Sequence, residues 1–160
     1  MHPTKNDLPA EKRSALAKLL NERLADLIDL GLQAKQAHWN VKGPHFVALH
    51  ELFDDAAEEI DEYIDTVAER VVALGGTAEG TLGAVGKRTK LPAYPLTISR
   101  GREHVDAFST AIATAGAAIR AAIDQATSLG DADTADLFTE VSRGLDKRLW
   151  FVEAHLQGEN

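Results

Sequence analysis

Residues 49–76 read LHELFDDAAEEIDEYIDTVAERVVALGG. In this stretch Leu49, Leu52, Phe53, Ala56, Ile60, Ile64, Val67 and Val71 recur three or four places apart, the spacing of one face of an α-helix. No proline interrupts the run, and Gly75-Gly76 supplies a C-terminal stop. Working outward, prolines at 3, 9, 44, 92 and 95 leave the stretches 10–43, 45–91 and 96–160 open to helices. The first carries Leu16, Leu20, Leu24, Leu27, Ile28 and Leu32 and should end near Asn40, ahead of Gly43-Pro44. A third helix is expected from about Ser99 to Gly130, with Phe108, Ala111, Ile112, Ala115, Ile119, Ala122 and Ile123 on its apolar face. A fourth starts from an N-cap at Asp131 or Asp133 and carries Phe138, Val141, Leu145, Leu149, Val152 and Leu156.

Composition agrees with an all-α fold. The chain has 26 alanines and 19 leucines against 16 valines and isoleucines combined, which favours helix over strand. Its 160 residues are one domain, 1–160, with residues 1–9 expected to form a flexible N-terminal tail. About six residues join the first two helices, making them antiparallel neighbours, and roughly twenty join the second and third. That longer connection can cross the whole bundle and hold a short helix, which is the ferritin-like four-helix bundle with one long crossover.

The absence of cysteine excludes disulfides, thiolate zinc sites, iron–sulfur clusters and cysteine nucleophiles. No apolar run reaches the ~18 residues of a membrane span, and the start lacks a signal-peptide layout, so a soluble, cytoplasmic protein is expected. A formal charge of −8 suits cations better than phosphates.

Between Glu51 and Glu69 lie nine acids and no Lys or Arg. On a helix this places like charges four residues apart at 51/55, 54/58, 55/59, 58/62, 61/65 and 65/69, each pair costing ~0.2–0.5 kcal/mol. Solvated helices mix Lys among their Glu, so the stripe favours a cation-binding role. His50 and Asp54 are four apart on this helix and can share a metal, and Asp65 and Glu69 form a second such pair. The short Gly43-Pro44 turn brings His38 to the same neighbourhood. The two pairs point the same way but are about 16 Å apart along the axis, so one small centre cannot use both from one helix. A second copy lying antiparallel across a two-fold axis solves this: His38, His50 and Asp54 of one subunit face Asp65 and Glu69 of the other, twice over. The Glu-x-x-His pairs of a ferritin-type centre inside the bundle are absent from the chain. His50-Glu51 begins a zinc-protease motif that position 54, an Asp, does not complete.

These residues resemble the Dps family, the mini-ferritins. The resemblance rests on His38-Trp39-Asn40-Val41-Lys42-Gly43, Leu49-His50-Glu51 with Asp54, Ile64-Asp65-Thr66-Val67-Ala68-Glu69-Arg70 with Leu74-Gly75-Gly76, and the run from Asp133 to Phe151. It implies a homododecameric hollow shell that oxidises Fe²⁺ to Fe³⁺, usually with H₂O₂, at dinuclear sites between subunits and stores ferric mineral. It also implies the five ligands His38, His50, Asp54, Asp65 and Glu69; since His and carboxylate bind Zn²⁺ at least as well as Fe²⁺, zinc can substitute for iron there. Trp39 is either a packed interface aromatic or a sacrificial electron donor. Glu51 and Asp55 could line the cavity where mineral nucleates, while Glu58, Glu59 and Glu62 face solvent or interfaces. Asp131, Asp133 and Asp136 fall where the family places its iron-admitting pores, or else cap the fourth helix. His2, His45, His104 and His155 fit no ligand pair and are assigned surface or structural roles.

Family members that bind DNA usually do so through a mobile Lys-rich N-terminal tail. Here residues 1–13 hold Lys5, Lys12 and Arg13 against Asp7 and Glu11, and the C-terminal residues 157–160 add no positive charge. Weak or no DNA binding is therefore expected near neutral pH. The competing readings are a nucleoid-associated shell that coats DNA and a bundle whose interface site holds zinc structurally.

Overall fold

The computed structural model describes residues 1–157; the last three residues, part of the uncharged-or-acidic C-terminus considered above, lie outside the described residues. Five helices follow in order: α1 (Ala10–Asn40), α2 (Phe46–Ala73), α3 (Leu82–Arg88), α4 (Gly101–Leu129) and α5 (Ala132–Glu153). The four long helices form two antiparallel pairs, α1 with α2 and α4 with α5, and α3 is the short helix within the crossover. No helix among the described residues is long and apolar enough to cross a membrane.

One end of the bundle joins the α1–α2 turn to the start of α4, where the Lys42 N–H donates to the Ser99 carbonyl at 2.8 Å. At the opposite end Gly130 ends α4 with φ +81° and Asp131 caps α5, its carboxylate accepting from the Thr134 N–H. Arg70 of α2 grips the buried Asp131 with contacts of 2.8 and 2.9 Å. Burial raises the Asp131 pKa, but Thr134 and Arg70 outweigh it and hold the carboxyl below its ordinary value. Between these ends Leu16, Leu20, Leu24, Leu27, Phe53, Ile60, Phe108, Ile112, Ile119, Phe138 and Leu145 are fully buried on the expected apolar faces.

The crossover is held by a polar row on α1 that periodicity does not reveal. Asn21 donates to the Thr77 carbonyl and accepts from the Glu79 N–H. Asp26 accepts from the Lys90 N–H, Asp29 from the Thr89 hydroxyl, and Gln33 donates to the Pro92 carbonyl. Asn21, Asp26 and Gln33 thereby satisfy backbone groups of an irregular segment packed against the helix, and Asp29 holds a side chain of the same segment. The N-terminal segment meets the bundle too: the His2 N–H donates to the Gly75 carbonyl at 2.6 Å, and Arg13 reaches the Leu8 and Leu74 carbonyls.

Two local features carry measurable consequences. A Cβ at Gly144 would stand 1.9 Å from the Tyr63 hydroxyl, which donates to Glu59. Gly144→Ala must therefore push Tyr63 off its partner, and urea unfolding should show a loss of about 1–3 kcal/mol. His104 is buried, and its Nδ1 shares a hydrogen bond of 2.7 Å with the Tyr94 hydroxyl. Burial lowers its pKa, outweighing Glu103 and the nearby Asn40 and Ile98 carbonyls. The folded chain thus stores His104 neutral while the unfolded chain protonates it near pH 6.5. Its contribution is full above that pH and is lost as pH falls towards the folded value. The urea midpoint should drop between pH 7 and 5, with a shallower drop in His104→Gln.

Candidate metal centre

The five-residue α1–α2 turn folds α2 back along α1 and sets His38 against His50, with ring centroids 3.7 Å apart and planes 20° from parallel. Each Nδ1 lies 2.8 Å from the other residue's backbone carbonyl. A carbonyl can only accept, so both Nδ1 atoms carry protons, and in the neutral imidazoles the lone pair available to a metal is on Nε2. The reciprocal bonds fix tautomer and ring orientation together, as outer partners of metal-binding histidines commonly do. Asp54, one turn beyond His50, has a carboxylate oxygen 3.9 Å from His38 Nδ1.

A cation already stands on Asp54. Lys35, one turn before His38 on α1, forms an ion pair and hydrogen bond with its carboxylate. The Lys35 hydrogen bond leads the effects that hold the Asp54 carboxyl below its usual range. The acidic stripe is therefore neutralised in part from other helices. Glu59, expected to face solvent or an interface, is instead paired with Arg148 of α5. Sequence reasoning missed both partners because each lies on a different helix from its acid; only the placing of Lys35 one turn from His38 hinted at the first.

Asp65 and Glu69 are exposed on α2, and neither side chain makes a hydrogen bond or ion pair among the described residues. They lie about three turns from Asp54. Among the described residues of one chain, no three histidine or carboxylate side chains converge closely enough to hold a metal ion. Beside these groups runs an unpartnered apolar strip. Leu32 and Trp39, two turns apart on α1, are 53% and 67% exposed, and Phe46 and Val47 at the start of α2 are exposed as well. Leu32 was expected on the inward face of its helix; it points outward, into a crevice with Ile28, Gly31, Lys35, Ala57 and Ile64.

Of the remaining acids, Glu51, Asp55, Glu58 and Glu62 are exposed on α2. Asp133 and Asp136 are exposed at the start of α5, whereas the Asp131 carboxylate is turned inward as cap and Arg70 partner. Both Asp131 oxygens face the protein's own donors, which is the capping alternative for that residue. His2, His45 and His155 are exposed, while His104 lies in the core.

Residues 17–159 match the ferritin-like domain family. The chain is 53% identical to the DNA protection during starvation protein of Agrobacterium fabrum, over 98% of this chain and 96% of that one. Its fold superposes on a Dps structure from Mycobacterium smegmatis with a TM-score of 0.93, at 34% identity over 98% of this chain and 95% of that one. It also superposes on the Dps of Microbacterium arborescens in a high iron form, with a TM-score of 0.87 at 33% identity over 97% and 99% of the two chains. The four-helix bundle with its long crossover is thus a ferritin-like fold. Within that class, the chain belongs to the Dps family, the DNA protection during starvation proteins.

Proposed function

We propose that this protein oxidises Fe²⁺ at sites shared between two subunits and stores the ferric product inside a homododecameric shell, with H₂O₂ as the preferred oxidant. The observation that carries this reading is the division of the donor set. His38 and His50 leave both Nε2 atoms outside their reciprocal hydrogen bonds, beside Asp54, while Asp65 and Glu69 stand without a partner among the described residues about three turns away on the same helix. An antiparallel partner across the exposed Leu32–Trp39 strip supplies to each half what it lacks.

The chemistry suits iron as a substrate. Carboxylates favour Fe³⁺ over Fe²⁺, and imidazole retains the incoming ferrous ion. Two irons deliver the two electrons that reduce peroxide to water without releasing hydroxyl radical. Lys35 acts as a resident counter-ion for Asp54 that an arriving metal must displace. Lys35→Gln should therefore bind Zn²⁺ or anaerobic Fe²⁺ several-fold more tightly by calorimetry; weaker binding would show that the lysine helps to build the site. Trp39, exposed next to His38, serves as interface aromatic or electron donor. Glu51 and Asp55 are assigned to mineral nucleation, and the exposed Asp133 and Asp136 to an iron entry pore.

Anaerobic Fe²⁺ addition followed by peroxide, read by ferric absorbance, tests the central reading. A site that holds Zn²⁺ without turnover would show no such absorbance. DNA protection, the role in the relatives' name, is assigned here to iron removal rather than coating. An N-terminal segment of near-balanced charge on a chain at −8 disfavours phosphate contact, so a low-salt gel shift with metal-free protein should show little retention.

A further inference from the structure

A cleft at the α1–α2 end of the bundle gathers positive charge on a chain that is otherwise acidic. Its volume is about 500 Å³, within the ~300–1,000 Å³ of small-molecule sites. Three segments distant in sequence meet there. The α1–α2 turn contributes Lys42 and His45, the start of α4 contributes Arg100 and Arg102, and His155 comes from just beyond α5. No aspartate or glutamate is among the described residues that line it, although the chain carries 25 acids against 17 lysines and arginines.

The backbone builds this cluster. The Lys42 N–H donates to the Ser99 carbonyl at 2.8 Å, and Lys42 pairs with Arg100 in a short parallel bridge. Two cationic residues from separate connections are thus held side by side. Both are exposed, and among the described residues neither forms an ion pair with a carboxylate. Glu103 lies within reach of the Arg100 charge, but its carboxylate is turned to the start of α4, where it accepts from the Ser99 and Arg100 N–H groups. Cations set together with no acid between them repel, and an anion in the cleft relieves that repulsion. The floor is apolar: Leu49 and Val105 are buried beneath the charged rim. Gly101 keeps that floor open, since a Cβ there would stand 2.6 Å from Leu49 Cδ1. As the first residue of α4, it also brings the positive end of a 29-residue helix to the cleft.

We propose that this cleft binds a small phosphate, either free or as the monoester of a compact apolar body. The proposal does not depend on the ferroxidase reading. Phosphate suits the donors on the rim. It carries more charge at neutral pH than a carboxylate does, and its oxygens match the forked guanidinium of Arg100 while Lys42 acts as a point charge. In a monoester the remaining body lies on Leu49 and Val105. A recess of this size takes one phosphate group, whereas a duplex needs cations spread along a face, so the site is compatible with weak retention of DNA.

Calorimetry on the metal-free protein at low ionic strength, with inorganic phosphate, adenosine monophosphate and adenosine as probes, tests the assignment. Both phosphates should bind at about one per chain, and adenosine should not bind. Tighter binding of the monophosphate than of inorganic phosphate would assign the apolar floor to the ester's body; equal affinities would make free phosphate the ligand. Lys42→Gln and Arg100→Gln should each weaken binding about tenfold, the loss expected for a hydrogen bond to a charged group. Lys87→Gln, an exposed lysine outside the cleft, should change nothing. Circular dichroism should show unchanged helix content in all three variants. Absence of phosphate binding by the wild type would overturn the proposal, as would binding that both cleft variants leave intact, or adenosine binding as tightly as its monophosphate. Duplex DNA retained by the wild type and released by Arg100→Gln would make the cleft part of a nucleic-acid surface and overturn the small-ligand assignment.

Discussion

Replacing Leu32 by glutamate should abolish ferrous oxidation although no metal ligand is touched. Leu32 is 53% exposed and lies in a crevice with Ile28, Ala57 and Ile64, two turns from the exposed Trp39. An apolar strip of this kind on a folded chain marks a surface meant to be covered. A carboxylate there would be buried without a partner whenever two copies pair, and burying an unpaired charge opposes association strongly. In the isolated chain the same side chain stays in water, so the helix should fold normally. Light scattering should report subunits in place of a large assembly, circular dichroism an unchanged helix content, and the peroxide assay only the background rate. A Leu32→Glu protein that remained monomeric yet oxidised iron at the normal rate would sink the shared site.

Asp54→Ala and Glu69→Ala should each slow oxidation by at least ~10–100-fold, the range seen when even the outer partners of metal ligands are lost. Mixing the two variants should then restore activity. In an antiparallel pair with one copy of each, both lesions fall in the same site, and the other site has all five ligands intact. Random reassembly makes half of the interfaces mixed, so about a quarter of wild-type activity should return. If both ligand sets served one chain alone, mixing would restore nothing. Dissociating and reassembling the variants before the assay gives the answer in one experiment, with each variant carried through alone as its control.

Much of the fold was legible in residue order because helical amphipathicity and helix stops are local. Heptad-like spacing in 49–71 and the Gly75-Gly76 stop place α2, and the long connection between α2 and α4 was read as a crossover from its length. Asp131 was read as one of two candidate caps; choosing it over Asp133 needed the Arg70 and Thr134 contacts, which join α2 to the α4–α5 turn. The candidate ligands were legible as residue types at one-turn spacing. Lys35 on Asp54 and Arg148 on Glu59 were not, since ion pairs between separate helices leave no trace in a single helix's pattern. Leu32 misled for a related reason: apolar spacing shows that a residue shuns water, not whether its own bundle or another copy covers it.

By itself, then, the order of residues determined where helices run, where they stop and which nitrogen and oxygen donors lie a turn apart, because those properties depend on neighbours a few positions away. Only the packed bundle decided that His38 and His50 lock each other's Nδ1, that a lysine waits on Asp54, and that Asp65 and Glu69 face outward without a partner among the described residues. Tautomer, charge pairing and exposure depend on groups far apart along the chain, and folding is what brings those groups together.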